Sequence, residues 1–280
     1  MKHKIMKNPT FKAGLGLRWV AGALAVLGTT AAQANMTPIS AFGWNADGVI
    51  QSPTVDPQST LLPYNGNWAY YSTTAPGAPA GTGIALGTSF TSVYDGTTVF
   101  QFQPAGVGSP NVIGLQAQGS TTPSGSLFLA SPKAYTELSL LGTTSVNGGL
   151  TYPTVTINYG NGAPSQSLSI PLPNWNSAST YGNVALNLGY YVGQKASAGY
   201  TFVGPFGNPF SLYQMNITPS DTTDPIESIT IESSTYGGDN AEQFFALSGQ
   251  VAVPEPATFA LAGLGALALI CGRRLAGRRS

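Results

Sequence analysis

The chain has 280 residues, with eleven basic and eleven acidic side chains, one histidine and one cysteine. The zero net charge hides a segregation: between residues 35 and 250 only Lys133 and Lys195 stand against ten carboxylates, a net −8, and the other basic residues lie near the two ends. This middle region lacks the basic footprint that nucleic-acid recognition needs; because His3 and Cys271 are terminal, it also lacks Ser-His and Cys-His nucleophiles, the usual zinc ligands and any disulfide.

Lys2, Lys4, Lys7, Lys12 and Arg18 precede an apolar stretch from Trp19 to about Leu27, and Ala32-Gln33-Ala34 follows as a small-x-small site. The pattern predicts a secretory signal peptide over residues 1–34, cut by signal peptidase after Ala34 so that Asn35 begins the mature chain. A bacterial lipoprotein would need cysteine at that position.

From 35 to 250 no stretch sustains helical periodicity, and short runs alternate apolar with polar residues. Trp44, Trp68, Tyr70 and Tyr71 are candidates for the interior, whereas Ala75 to Gly83 reads as an exposed loop. Phe90 to Tyr94 and Thr98 to Phe102 flank Asp95-Gly96, which predicts a hairpin with a two-residue type I′ turn. Thr154 to Tyr159 presents Val155, Ile157 and Tyr159 on one face; Gly160-Asn161-Gly162 then turns the chain toward Leu168, Ile170 and Leu172. The same spacing recurs at Leu138 and Leu140, Tyr200 and Phe202, Tyr213, Met215 and Ile217, Ile229 and Ile231, and Phe245 and Leu247. Each run offers one apolar surface, and two sheets are needed to bury them. The expected fold is all-β, a single jelly-roll-like β-sandwich ectodomain over 35–250. Glycine and proline make up a fifth of the chain, below the roughly 25–30% of low-complexity sequences.

The chain closes, over 253–280, with Pro254-Glu255-Pro256, an uncharged run from Ala257 to Gly272, and then Arg273, Arg274, Arg278 and Arg279. As a helix, the sixteen residues 257–272 span ~24 Å against a hydrocarbon core of ~30 Å, so the segment is short for a permanent anchor. Arginines can snorkel and positive charge stays on the cytoplasmic side, which places the Pro-Glu-Pro triplet outside. The linker from the last predicted strand is very short.

Among the carboxylates, Glu137, Glu227, Glu232 and Glu242 are the glutamates available for acid-base chemistry, but Glu227 and Glu232 are five apart and point to opposite faces of a regular strand. Solvated strand-end charges are the expected role, and no enzymatic activity is expected. The short acidic clusters around Asp47, around Asp221 and Asp224, and at Asp239 and Glu242 are the weak calcium candidates; none has EF-hand spacing, and Asx-turns account for them equally well. No cofactor is otherwise implied. Trp175 and Tyr190, together with Tyr181 and Tyr191, lie near expected loops or strand ends and are candidates for stacking on sugar rings. An ice-binding face needs Thr-x-Thr at a fixed period, which the lone Thr154 to Thr156 does not supply.

The order Pro-Glu-Pro, short apolar helix, arginine cluster resembles the PEP-CTERM sorting signal of Gram-negative bacteria. The resemblance implies an exported protein, transiently anchored in the inner membrane. An exosortase-type membrane transpeptidase then processes the tail at Pro254, Glu255 and Pro256, with Arg273, Arg274, Arg278 and Arg279 fixing topology, and the product reaches the cell surface or extracellular matrix. More loosely, Tyr135 to Gly142, Thr154 to Gly162 and the stretch ending at Trp175 are similar to galactose-binding-like sandwich modules, with Asn161 and Asn174 where members often carry Asp. The expectation is an exported non-enzymatic surface or matrix protein; the alternative is a carbohydrate-binding module acting on exopolysaccharide.

Overall fold

A computed structural model describes residues 35–51, 68–104, 106–116, 122–146, 149–177, 180–195, 199–205, 210–234 and 241–252. The signal-peptide residues Ala32 and Ala34 and everything from residue 253 onward lie outside the described residues. The strands are β1 Thr37–Pro38, β2 Ala41–Phe42, β3 Val49–Ile50, β4 Trp68–Tyr71, β5 Ser89–Thr91, β6 Val99–Gln101 and β7 Ile113–Gln116. There follow β8 Ser124–Lys133, β9 Tyr135–Thr144, β10 Leu150–Thr151, β11 Thr154–Tyr159, β12 Gln166–Ser169 and β13 Leu172–Pro173. The last are β14 Val184–Asn187, β15 Tyr191–Lys195, β16 Gly199–Val203, β17 Ser211–Ile217, β18 Ile226–Glu232 and β19 Ala241–Val251.

Two large sheets form the sandwich. One has the order β1-β19-β9-β17-β14, with β7 also paired to β19; the other has the order β12-β11-β18-β8-β2. All pairings in both are antiparallel, so each strand alternates one buried and one outward face. Between the sheets lies an aliphatic core built from Leu127, Leu129, Val155, Ile157, Ile229 and Ile231 on one side and Leu138, Leu140, Tyr213, Met215, Ile217 and Leu247 on the other. All but Leu127 and Leu129 are alternating positions that the sequence pattern marks. The outward face of the five-stranded sheet carries small hydroxyls instead, with Thr156 opposite both Ser167 and Thr230, and Thr230 opposite Ser126.

The six-stranded sheet is buried on both faces. Its outer side is covered by β3, β4, β6, β15 and the intervening loops, whose Val49, Tyr70, Phe100, Trp175, Tyr191 and Phe210 pack on Leu141, Leu212, Phe245 and Ala246. The molecule is therefore a sandwich with an added aromatic layer, where the sequence pattern predicts two sheets alone. Phe245 shows the cause of one departure. A register shift between Phe244 and Ala246 adds a residue to β19, so Phe244 and Leu247 face the aliphatic core and Phe245 turns to the aromatic one. The expectation that Phe245 and Leu247 share a face fails because a bulge resets the two-residue period.

Both predicted hairpins form. Val155 pairs with Leu168 and Ile157 with Gln166 across a turn in which Asn161 (φ 57°) and Gly162 (φ 81°) take left-handed backbone. The β5-β6 hairpin has a wider turn than the two residues expected: Thr91 pairs with Val99, and Ser92 N–H still donates to Thr98 O at 2.8 Å. Asp95 sets this shape. Its Oδ1 accepts the amides of Thr97 and Thr98, each at 2.9 Å, an Asx-type arrangement that holds the chain out of a tight I′ turn, and Gly96 adopts φ 68°.

Candidate functional site

The wide β5-β6 turn forms one wall of an open cleft of about 170 Å³, lined by Tyr94, Ile170, Pro171, Asn183, Gln214, Met215 and Asn216. Alternation along β17 supplies the floor. Tyr213, Met215 and Ile217 point into the aliphatic core, so Gln214 and Asn216 occupy the opposite face, where the sequence places amides rather than charges. Asn183, next to β14, is tied to β17 twice, by Gln214 N–H to Asn183 O at 2.9 Å and Asn183 Nδ2 to Gln214 O at 2.8 Å.

A polar network fixes these side chains. Gln214 Nε2 donates to Asp95 Oδ2 at 2.7 Å, to Asn216 Oδ1 at 2.9 Å and to Thr98 Oγ1 at 3.2 Å. A carboxylate only accepts, so Asp95 determines which end of the amide faces it. Gln214 Oε1 is consequently left buried without a hydrogen-bond donor among the described residues, a deficit of about 1–3 kcal/mol. Ser139 Oγ donates to Asn216 Oδ1 at 2.9 Å. For Asp95, partial burial opposes ionisation. The hydrogen bonds from the Thr98 hydroxyl, the Thr98 and Thr97 amides and Gln214 outweigh it and hold the carboxyl down at about 2. Tyr94 stays 49% exposed although its loop is pinned by Val93 N–H to Ala185 O at 3.0 Å. The sequence signal for this site is faint: two amides alternating with core residues on one strand.

The residues singled out from the sequence lie elsewhere. Trp175 is only 4% exposed; its ring stacks on Phe210 with centroids 4.2 Å apart and meets Trp68 edge-on at 5.3 Å. It sits in the aromatic core, so external sugar stacking is closed to it, because the turn that holds it folds inward over the six-stranded sheet. Tyr190 is half-buried against the small cluster of Ile50, Ala69, Tyr71, Ala75 and Val192. Tyr181 packs against the aliphatic core and Tyr191 belongs to the aromatic one.

Asp47 is 3% exposed and accepts Asn111 Nδ2 at 2.6 Å, while Asn111 Oδ1 accepts Gly48 N–H at 2.7 Å. The pair staples two loops. Asp239 lies outside the described residues. Glu242 is fully buried; Ser234 Oγ donates to its Oε1 at 2.9 Å, and Oε2 has no hydrogen-bond partner among the described residues. Burial raises its carboxyl pKa, and the hydroxyls of Thr151, Ser234 and Ser233 counter this only in part. Asp221 caps its own loop through Thr223 N–H, Thr223 Oγ1 and Asp224 N–H, which hold its carboxyl at about 2. Asn161 Nδ2 donates to Asp224 Oδ1 at 2.9 Å, and Asn174 Oδ1 accepts Asn176 N–H at 2.8 Å. Asn161 therefore ties the β11-β12 turn to the loop at Asp224, and Asn174 stabilises its own turn. Among the described residues no group of three or more His, Cys, Asp or Glu is gathered for a metal.

Glu227 falls in the bulge between Ile226 and Ser228 and Glu232 ends the same strand beside Thr154. Five residues of strand separate them by about 17 Å, beyond the ~5–9.5 Å of glycosidase carboxylate pairs.

No curated protein sequence matches the chain. Among solved structures, a Bacillus licheniformis beta-glucanase aligns with 59% of this chain and 98% of its own at 11% identity and a TM-score of 0.25. A second chain, from work on endo-acting O-glycanases with which human gut bacteria initiate mucin breakdown, aligns with 78% of this chain and 100% of its own at 12% identity and a TM-score of 0.26. Overlap at that level transfers no chemistry. The sequence comparison is specific at one place only: residues 252–279 match the PEP-CTERM protein-sorting motif. The chain is an all-β sandwich that carries a PEP-CTERM sorting motif at its C-terminal end.

Proposed function

We propose that this is an exported, non-enzymatic surface or matrix protein whose tail is processed by an exosortase-type transpeptidase during delivery. The observation that carries the reading is the sorting motif at 252–279, which begins directly after β19. Ala252 N–H donates to Ala134 O at 3.0 Å, tying the last residue of the body to the start of β9. Glu255 comes three positions after Ala252, at most ~11 Å of extended chain. The transpeptidase must work close against the folded body, and Pro254 and Pro256 favour an extended, accessible backbone there. The arginines orient the tail, Glu255 supplies the carboxylate outside the membrane, and the folded body is the cargo.

A non-enzymatic role is supported by the placement of the carboxylates. Asp47, Asp95 and Asp221 are occupied in holding loops, and Glu227 and Glu232 stand at opposite ends of a strand. The test is the intact mass of the protein recovered from its native host. The wild-type chain should lose both the first 34 residues and the tail beyond the Pro-Glu-Pro triplet. Replacing Arg273, Arg274, Arg278 and Arg279 by Gln should leave a heavier product that retains the tail. A wild-type product of full C-terminal mass, or normal processing of the arginine-free variant, would sink the reading.

A further inference from the structure

The cleft beside the β5-β6 turn is lined by residues outside the sorting motif at 252–279. We propose that it binds one neutral sugar residue of a polysaccharide, with Tyr94 presented to the C–H face of the ring and the amides of Asn183 and Asn216, held from behind by the buried Gln214, presented to its hydroxyls. This proposal goes beyond the delivery reading and does not depend on it.

Size, polarity and charge point the same way. A cleft of about 170 Å³, open on one side, admits a single pyranose ring while the rest of a polymer continues outside. Asn216 Oδ1 is occupied by Ser139 and Gln214, which leaves the Nδ2 of this exposed residue as the donor, and Asn183, whose Nδ2 is taken by Gln214 O, offers its Oδ1 as the acceptor. Paired donors and acceptors at short range match vicinal hydroxyls, each of which both donates and accepts. Pro171 gives the wall an apolar part for the ring carbons, with Ile170 and Met215 of the aliphatic core beneath it. Among the described residues no lysine or arginine lines the cleft, and the ionised Asp95 stands directly behind Gln214. Phosphate, sulfate and uronate groups would meet negative charge without a cation, so the ligand is neutral. The site is also held in place before any ligand arrives: Val93 N–H bonds Ala185 O, Gly96 N–H bonds Ser92 O at 3.0 Å, and Gln214 and Asn183 exchange two hydrogen bonds. A site already ordered loses less entropy on binding.

The test is saturation-transfer NMR on the full-length protein in a zwitterionic detergent free of sugar, titrated with glucose, galactose, mannose, N-acetylglucosamine and galacturonate. At least one neutral sugar should bind saturably, and galacturonate should not. Tyr94→Ala alters an exposed side chain and should weaken that binding about tenfold with unchanged thermal unfolding; Asn216→Ala should weaken it similarly but unfold at a lower temperature, because the buried Ser139 and Gln214 lose their acceptor. Tyr152→Ala removes a tyrosine that is also exposed but lies outside the cleft and should leave binding intact. Absence of saturable binding by every neutral sugar, equal binding of galacturonate, or unchanged affinity in both cleft variants would overturn the proposal. Equal loss in Tyr152→Ala would do so too. Tail processing of all three variants should match wild type, so a failure of the sorting reading is scored separately by mass.

Discussion

The two faces of the six-stranded sheet are packed by different means. The inner face meets the second sheet through Ile, Leu and Val on regular strands, whereas the outer face is covered by short strands and loops bearing Tyr70, Phe100, Phe102, Trp175, Tyr191 and Phe210. Aliphatic side chains suit a pleated, half-buried surface at fixed spacing. Irregular backbone cannot repeat such spacing, and large rings fill the gaps with fewer residues. A chain without disulfides in its exported region uses both devices, and they share β9, β17 and β19.

The sharpest way to break this comparison is to remove the largest ring of the outer layer. Trp175→Ala should cost about 3–5 kcal/mol, the usual range for emptying a buried aromatic site. The backbone bonds of this turn, Trp175 N–H to Thr144 O and Ser211 N–H to Trp175 O, remain available to alanine, and Trp175 Nε1 has no acceptor among the described residues to lose. The cost is therefore packing. Urea unfolding followed by far-ultraviolet circular dichroism should show one transition at a lower midpoint, because both layers use the same sheet. Two separated transitions would mean that the aromatic layer is an independent covering.

A smaller effect is expected on the inner face. Ile157→Val removes one methylene from a fully buried site between Gln166 on one neighbouring strand and Ile229 on the other and should cost about 0.5–1.5 kcal/mol, read from the same denaturation curves. A cost matching that of Trp175→Ala would erase the distinction between a regular core that tolerates small losses and an irregular one anchored by a single ring.

The same distinction explains what could be read from the sequence. The two-residue period identifies Leu138, Leu140, Val155, Ile157, Tyr213, Met215, Ile217, Ile229 and Ile231 as one core, and all face it. It misreads Phe245, since a bulge is invisible to a fixed period. Trp175 near a turn looks available to solvent, but the turn folds inward. The cleft is hardest to foresee because its residues come from four separate segments and Asp95, whose dipeptide signals a tight turn, is used to orient Gln214. The sorting tail, being local and ordered as a single motif, is fully legible.

Glu242 gives the finest test, because it lies at the end of the aliphatic core with the polar residues Thr151, Ser233 and Ser234 around it. Burial raises its carboxyl pKa in the folded state, so the fold favours the protonated form. Its stabilising contribution is complete below the unfolded value, near 4.5, and is lost as pH rises through the raised folded value. Asp95 has the opposite sign and a lower window: its stabilisation is present above the unfolded value of 3.8 and is lost as pH falls toward about 2. Glu242→Gln keeps the shape of the side chain, and the Ser234 hydroxyl can reorient to accept or donate. The variant should therefore lose the wild-type decline in stability as pH rises above the unfolded value of 4.5 and retain the acid limb set by Asp95. Thermal unfolding across that range checks the point. An equal decline in Glu242→Gln would show that another group titrates there and that the carboxyl is accommodated in its charged form.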